Sequence, residues 1–210
     1  MLPLQPLYPI LDASFLPETD DREAFLRSLA LSLLEAGVTL LQYRNKQGSD
    51  RQKLDDARCL RETLPQSRVR LIFNDRADLA VLAGFDGVHV GQTDLSPESA
   101  RKVVGLNRIV GISTHNEAQL RVAVCSPADY VAIGPVFPTS SKVDPDPVVG
   151  LEGVRLARSL TSKPIVAIGG IGLANAKSVI DAGASSVAII SAIFGAPDPS
   201  RAARDFLQLF

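Results

Sequence analysis

Residues 72–95, "IFNDRADLAVLAGFDGVHVGQTDL", contain two short apolar runs, each followed by acid: Asn74 and Asp75 after the first, Asp94 shortly after the second. Between them "DRADLAVLAG" starts a helix, so the stretch reads strand, helix, strand. The same alternation extends in both directions. Apolar runs with strand character lie at 7–11, 38–43, 70–73, 87–90, 108–112, 130–134, 164–169 and 186–190. Amphipathic segments fall between them, at 22–36, 50–63, 97–104, 116–124, 150–160 and 173–182, several closed by a glycine such as Gly37, Gly105 or Gly183. Strands that alternate with helices imply a parallel sheet with right-handed crossovers. Eight such units predict a closed (β/α)8 TIM barrel, with residues 1–210 forming one catalytic domain.

Composition agrees and excludes other classes. The 210 residues are 46% hydrophobic and 21% charged, enough for one sizeable core. With 22 basic and 23 acidic residues the net charge is −1, so no global field would hold nucleic acid or an anionic membrane. The first residues, "MLPLQPLYPILDASF", are broken by three prolines and carry no basic residue, unlike a secretory leader. The uncharged run from Ala182 to Pro197 is shorter than the roughly 18 apolar residues of a spanning helix. A cytoplasmic protein is expected. Cys59 and Cys125 have no metal or redox spacing and are expected to be buried thiols. A homo-oligomer is compatible with this reading.

Barrel active sites form at the carboxyl ends of the strands, which narrows the candidates. Strand two ends in "QYRNK", with Gln42, Arg44 and Lys46; strand three ends at Asn74 and Asp75; Gln92 and Asp94 follow strand four. Ser113 and His115 follow strand five. The loop Pro135 to Val149, after strand six, carries Thr139, Ser140, Ser141 and Lys142 and four prolines, which lower the entropy lost when it orders. Gly169-Gly170 and Ile190-Ser191 close strands seven and eight.

Neighbouring strands lie about 4.8 Å apart, so Asp75 and Asp94 can face each other across the rim. Two such carboxylates repel without a partner, and three basic residues on the same rim call for an anion. Mg2+ bound to a diphosphate satisfies all five, since this ion is commonly held by one or two carboxylates plus phosphate oxygens. Each acid alone also has a plainer reading, Asp75 as a helix N-terminal acid and Asp94 as a turn or cap residue. Opposite them, Gly169-Gly170 and Ile190-Ser191 occupy the positions where barrels often bind phosphate through backbone N–H groups.

The blocks "QYRNK", "NDRADLAVLAGFDGVHVGQTDL", "GISTHN", "YVAIGPVFPTSSK", "PIVAIGGI" and "VAIISAI" together resemble the thiamine phosphate synthase family, in the family's order over nearly the whole chain. The resemblance implies coupling of 4-amino-5-hydroxymethyl-2-methylpyrimidine diphosphate to hydroxyethylthiazole phosphate, or its carboxylated form, with release of diphosphate. It implies that Gln42, Tyr43, Arg44, Asn45, Lys46, Asn74, Ser113 and Lys142 hold the pyrimidine diphosphate, and that Asp75 and Asp94 bind Mg2+. Thr139, Ser140, Ser141, Gly170, Ile190 and Ser191 match the thiazole-phosphate site, although family members often carry Thr where Ser141 stands. Arg44, Lys142 and Ser113 would stabilise the leaving diphosphate. The partners are then small phosphorylated molecules.

Ser113 also has a plain reading, as N-cap of the helix at 116–124. His89, within strand four, reads as a hydrogen-bonded core imidazole. His115 lies at the rim and keeps a rival open, because the related thiazole tautomerases carry a proton-shuttling histidine in this region. Those enzymes tend to lack the complete aspartate pair. A non-catalytic phosphate-binding barrel is a third reading, and it has no need for the metal pair.

Overall fold

The computed structural model describes residues 4–18, 21–139 and 146–210. Eight strands, β1 (Leu7–Asp12), β2 (Leu40–Arg44), β3 (Arg70–Asn74), β4 (Gly87–Val90), β5 (Ile109–Thr114), β6 (Tyr130–Ile133), β7 (Ile165–Ile168) and β8 (Ser186–Ile189), follow one another round a closed barrel. Every neighbouring pair is parallel, and β8 returns to β1 through Leu7 opposite Val187. The expected (β/α)8 barrel is therefore the fold.

Helices α1 (Arg22–Glu35), α2 (Asp50–Thr63), α3 (Ala77–Leu82), α4 (Pro97–Val104), α5 (Glu117–Cys125), α6 (Gly150–Leu160) and α7 (Ala176–Asp181) join consecutive strands. Two more, α8 (Ser191–Phe194) and α9 (Pro199–Leu207), follow β8. α9 is absent from the expected segments. Its start is a local signal, Asp198 accepting the N–H of Arg201 with Pro199 in the first turn, and it buries Ala203 and Phe206. α7 begins three residues later than expected because Asn175 folds back to accept the N–H of Gly172 at 2.8 Å. None of the helices among the described residues is long and apolar enough to cross a membrane.

The period of two along each strand separates two cores. Leu41, Phe73, Val88, Val110, Val131 and Val187 face outward and pack under the helices. Tyr8, Ile10, Leu40, Ile72, Ile109, Tyr130, Ala132, Val166 and Ala188 fill the barrel. Cys59 is buried as expected, whereas Cys125, the last residue of α5, is exposed. Its helix turns only Leu120 and Ala123 fully inward, which corrects the expectation of two buried thiols.

Candidate active site

Above the inner core, a cavity of about 680 Å³ opens at the carboxyl ends of the strands. Along β2, alternation turns Gln42 and Arg44 inward with Leu40, and Lys46 follows on the rim. The same alternation sends Tyr43 outward, where its ring meets Phe73 edge-on and its hydroxyl donates to Asp56 at 2.5 Å. Asn45 is spent on the turn, its Oδ1 accepting the N–H of Gly48 at 2.7 Å. Neither lines the cavity, so "QYRNK" does not act as one block: three residues face the site and two support the strand and its turn.

The carboxylate pair comes together. Asp75 lies just beyond β3 with φ +66°, a left-handed conformation uncommon for any residue with a side chain. This turn sends its N–H to the carbonyl of His89 at 2.7 Å. Lys46 pairs with its carboxylate, and Asp94 lies within hydrogen-bonding reach. Burial, with Asp94 beside it, raises the Asp75 carboxyl above its usual range despite Lys46. Asp94 is fastened by accepting the N–H of Gly91 at 2.7 Å. The plainer readings of both acids belong to other residues: Asp78 is the first-turn acid of α3, and Ser96 caps α4.

Such a pair fits a divalent cation. The described residues contain no group of three or more His, Cys, Asp or Glu able to hold a metal alone, so further oxygens would have to come from substrate or water.

Ser113 is also free of its plain role, since Asn116 caps α5. Its hydroxyl instead lies 2.8 Å from Nε2 of His89, and its carbonyl accepts from Gln92 at 2.6 Å. His89 is buried and hydrogen-bonded through both ring nitrogens, as expected, and burial pushes its pKa down to about 4. His115 lines the cavity, with Nδ1 2.7 Å from the carbonyl of Gly134 and 3.5 Å from the carboxylate of Asp146.

Across the cavity, Gly170, Ile190 and Ser191 lie together with Thr139. Gly170 has φ +63°, and a Cβ there would stand 2.4 Å from the carbonyl oxygen of Pro138, so only glycine lets this turn pack under the β6 loop. Ser140, Ser141 and Lys142 lie outside the described residues.

Asp12, the last residue of β1 and not among the candidates expected from strands two to eight, pairs with Arg44 and accepts the N–H of Ser14 at 2.9 Å. Burial opposes its ionisation, but Ser14 and Arg44 outweigh that and hold the carboxyl below its usual range. The same rule applied to strand one finds it. Gln119, which accepts the N–H of His115 at 2.7 Å, gave no comparable signal.

A closed parallel barrel with a carboxylate pair and basic groups on one side of its rim, and a glycine turn on the other, defines a phosphate-handling (β/α)8 enzyme. Residues 7–193 match the family described as thiamine monophosphate synthase. The thiamine-phosphate synthase of Koribacter versatilis (strain Ellin345) is 57% identical over 209 residues, covering 99% of this chain and 97% of that one. That of Agrobacterium fabrum (strain C58 / ATCC 33970) is 44% identical over 186 residues, covering 86% and 84%. The solved thiamine phosphate pyrophosphorylase from Pyrococcus furiosus superposes with a TM-score of 0.84 at 32% identity, covering 97% and 94%. The chain belongs to the thiamine monophosphate synthase family.

Proposed function

We propose that residues 1–210 act as one cytoplasmic catalytic domain that joins the pyrimidine diphosphate to the thiazole phosphate, giving thiamine phosphate and diphosphate. The observation that carries this reading is the pairing of two anion-binding rims across one cavity: Arg44 and Lys46 beside Asp75 and Asp94, facing Gly170, Ile190 and Ser191. One phosphorylated substrate fits each rim, and 680 Å³ lies within the usual range for small-molecule sites.

In this reading Gln42 and Asn74 hold the pyrimidine, and Arg44, Lys46, Lys142 and Ser113 bind its diphosphate. The carbon–oxygen bond breaks and the diphosphate leaves with the electron pair, while the electron-rich aminopyrimidine stabilises the cation left behind. Arg44, Lys46 and Lys142 meet the charge that grows on the leaving oxygens, which is where preorganised groups contribute most to rate. The thiazole nitrogen, oriented by its phosphate on Gly170, Ile190, Ser191, Thr139, Ser140 and Ser141, then forms the new carbon–nitrogen bond. No protein nucleophile is required. Asp75 and Asp94 would hold Mg2+, which when bound supplies further neutralisation of the departing diphosphate.

The test is to incubate purified protein with both substrates and Mg2+ and assay thiamine phosphate and diphosphate together. Formation of the two in equal amounts supports the reading; proton exchange on the thiazole without diphosphate release would replace it with the tautomerase.

A further inference from the structure

Beneath the cavity, where barrels of this kind are usually packed with branched apolar side chains, four polar side chains form a continuous chain that ends at Ser113. Gln42 donates from Nε2 to the hydroxyl of Tyr8 at 3.0 Å, and that hydroxyl lies 3.1 Å from the hydroxyl of Tyr130. The Tyr130 hydroxyl lies 2.8 Å from Nδ1 of His89, whose Nε2 is 2.8 Å from Ser113 Oγ. Gln42, Tyr8, Tyr130 and His89 are all buried, and the chain crosses the barrel from β2 to β5 with both ends opening on the cavity.

We propose that Tyr8, Tyr130 and His89 form a one-directional hydrogen-bond relay that holds Ser113 as a donor toward the bound substrate, which makes them positioning residues of the site.

Each hydroxyl has a single proton, and this sets the direction. Among the described residues the Tyr8 hydroxyl reaches no acceptor but Tyr130, and the Tyr130 hydroxyl none but Tyr8 and His89, so with the Gln42 amide donating to Tyr8 the arrangement that leaves no buried O–H unpaired runs from Tyr8 to Tyr130 and from Tyr130 to Nδ1 of His89. A neutral imidazole that accepts at Nδ1 carries its proton on Nε2, which donates to Ser113. The Ser113 oxygen is then occupied as an acceptor, and its O–H is left to point into the cavity. In the reverse direction Ser113 would spend its proton on His89 and offer an anion only lone pairs.

Two observations support the relay. Burial holds both tyrosines as phenols, so each keeps the single proton its link needs. The sequence also makes room for the ring at its centre: a Cβ on Gly111 would stand 2.1 Å from Cζ of Tyr130 and 2.4 Å from its hydroxyl. With hydrogen alone at that position, the Tyr130 ring fits against Gly111 and stacks on His89, centroids 5.5 Å apart.

The role assigned to Ser113 rests on the coupling reaction proposed above, whereas the direction of the relay can be read without turnover. Nitrogen-15 NMR of the histidine-labelled protein, with His115→Asn used only to assign the two rings, should find His89 protonated on Nε2 and unprotonated on Nδ1. An Nδ1–H tautomer overturns the proposal. For the coupling rate, Tyr130→Phe and Tyr8→Phe keep the ring and remove one link; each should lower kcat about tenfold, the scale of one hydrogen bond, with little change in KM. In a Ser113→Ala background the same changes should cost nothing further, because the group they orient is gone. Losses that multiply in the double variants would mean that the tyrosines act through packing, and the relay would be rejected. Wild-type protein that does not couple would defeat the proposed function and leave the tautomer measurement to decide the relay.

Discussion

Asp75 and Asp94, which follow adjacent strands, bring their carboxyl groups within hydrogen-bonding reach of each other, and Asp75 does so from a left-handed backbone conformation. A half-buried like-charged pair on a strained turn works against folding, so its presence indicates a use for the concentrated negative charge. Asp75→Asn and Asp94→Asn should each lower turnover by roughly 10²-fold or more. Asp75→Asn should at the same time melt no lower than wild type, because asparagine tolerates this backbone and removes the repulsion. Steady-state rates with and without a chelator, beside thermal melts, check both halves; near-normal rates in chelator would remove the metal from the account.

Arg44 is held by Asp12, so the two should fail differently. Arg44→Ala should weaken pyrimidine diphosphate binding by roughly 1.5–3 kcal/mol, the range for a hydrogen bond to a charged group. It should also destabilise the fold, since Asp12 stays largely buried without its partner. Asp12→Asn should retain part of the affinity. Calorimetric titration with the diphosphate substrate separates these outcomes.

Gly170→Ala should damage one rim only. The added methyl meets the Pro138 carbonyl on a backbone that already has positive φ, so stability should fall by more than about 1 kcal/mol. Thiazole phosphate affinity should fall with it while pyrimidine diphosphate affinity holds. Equal loss for both substrates would show that the two rims are not separate.

His89 predicts a pH dependence of stability. Its pKa falls from 6.5 to about 4 on folding, so between those values the unfolded chain binds more protons than the native one. The stability it contributes is complete above about pH 6.5 and is lost as pH falls toward 4, by up to about 3 kcal/mol. The difference between wild-type and His89→Gln denaturant midpoints, followed across that window, should shrink as the pH falls. A constant difference would mean that His89 does not titrate there.

His115 and Asp94 separate synthase from tautomerase. For coupling, His115→Asn should keep about a tenth or more of the activity, because a positioned acid or base is worth 10²–10⁴ only where it is essential. Asp94→Asn should be much the more damaging. Diphosphate release and thiazole proton exchange, measured side by side, would show the opposite order for a tautomerase.

Alternation of apolar runs with amphipathic segments was enough to read the barrel, because strand period, helix period and glycine stops are local properties of the chain. Applied to strands two to eight, the strand-end rule then identified Gln42, Arg44, Lys46, Asn74, Asp75, Asp94 and Ser113, all of which line the cavity. Other features were not legible in this way. Tyr43 and Asn45 sit inside the same run as Arg44, yet the two-residue period turns one outward and a side-chain-fastened turn holds the other. In the sequence His89 reads as a core imidazole, while Tyr8 and Tyr130 stand only as members of two distant apolar runs. Their hydrogen bonds form only because barrel closure sets β1, β4 and β6 around one axis and Gly111 leaves space between them, and such contacts across the chain have no periodicity in the sequence.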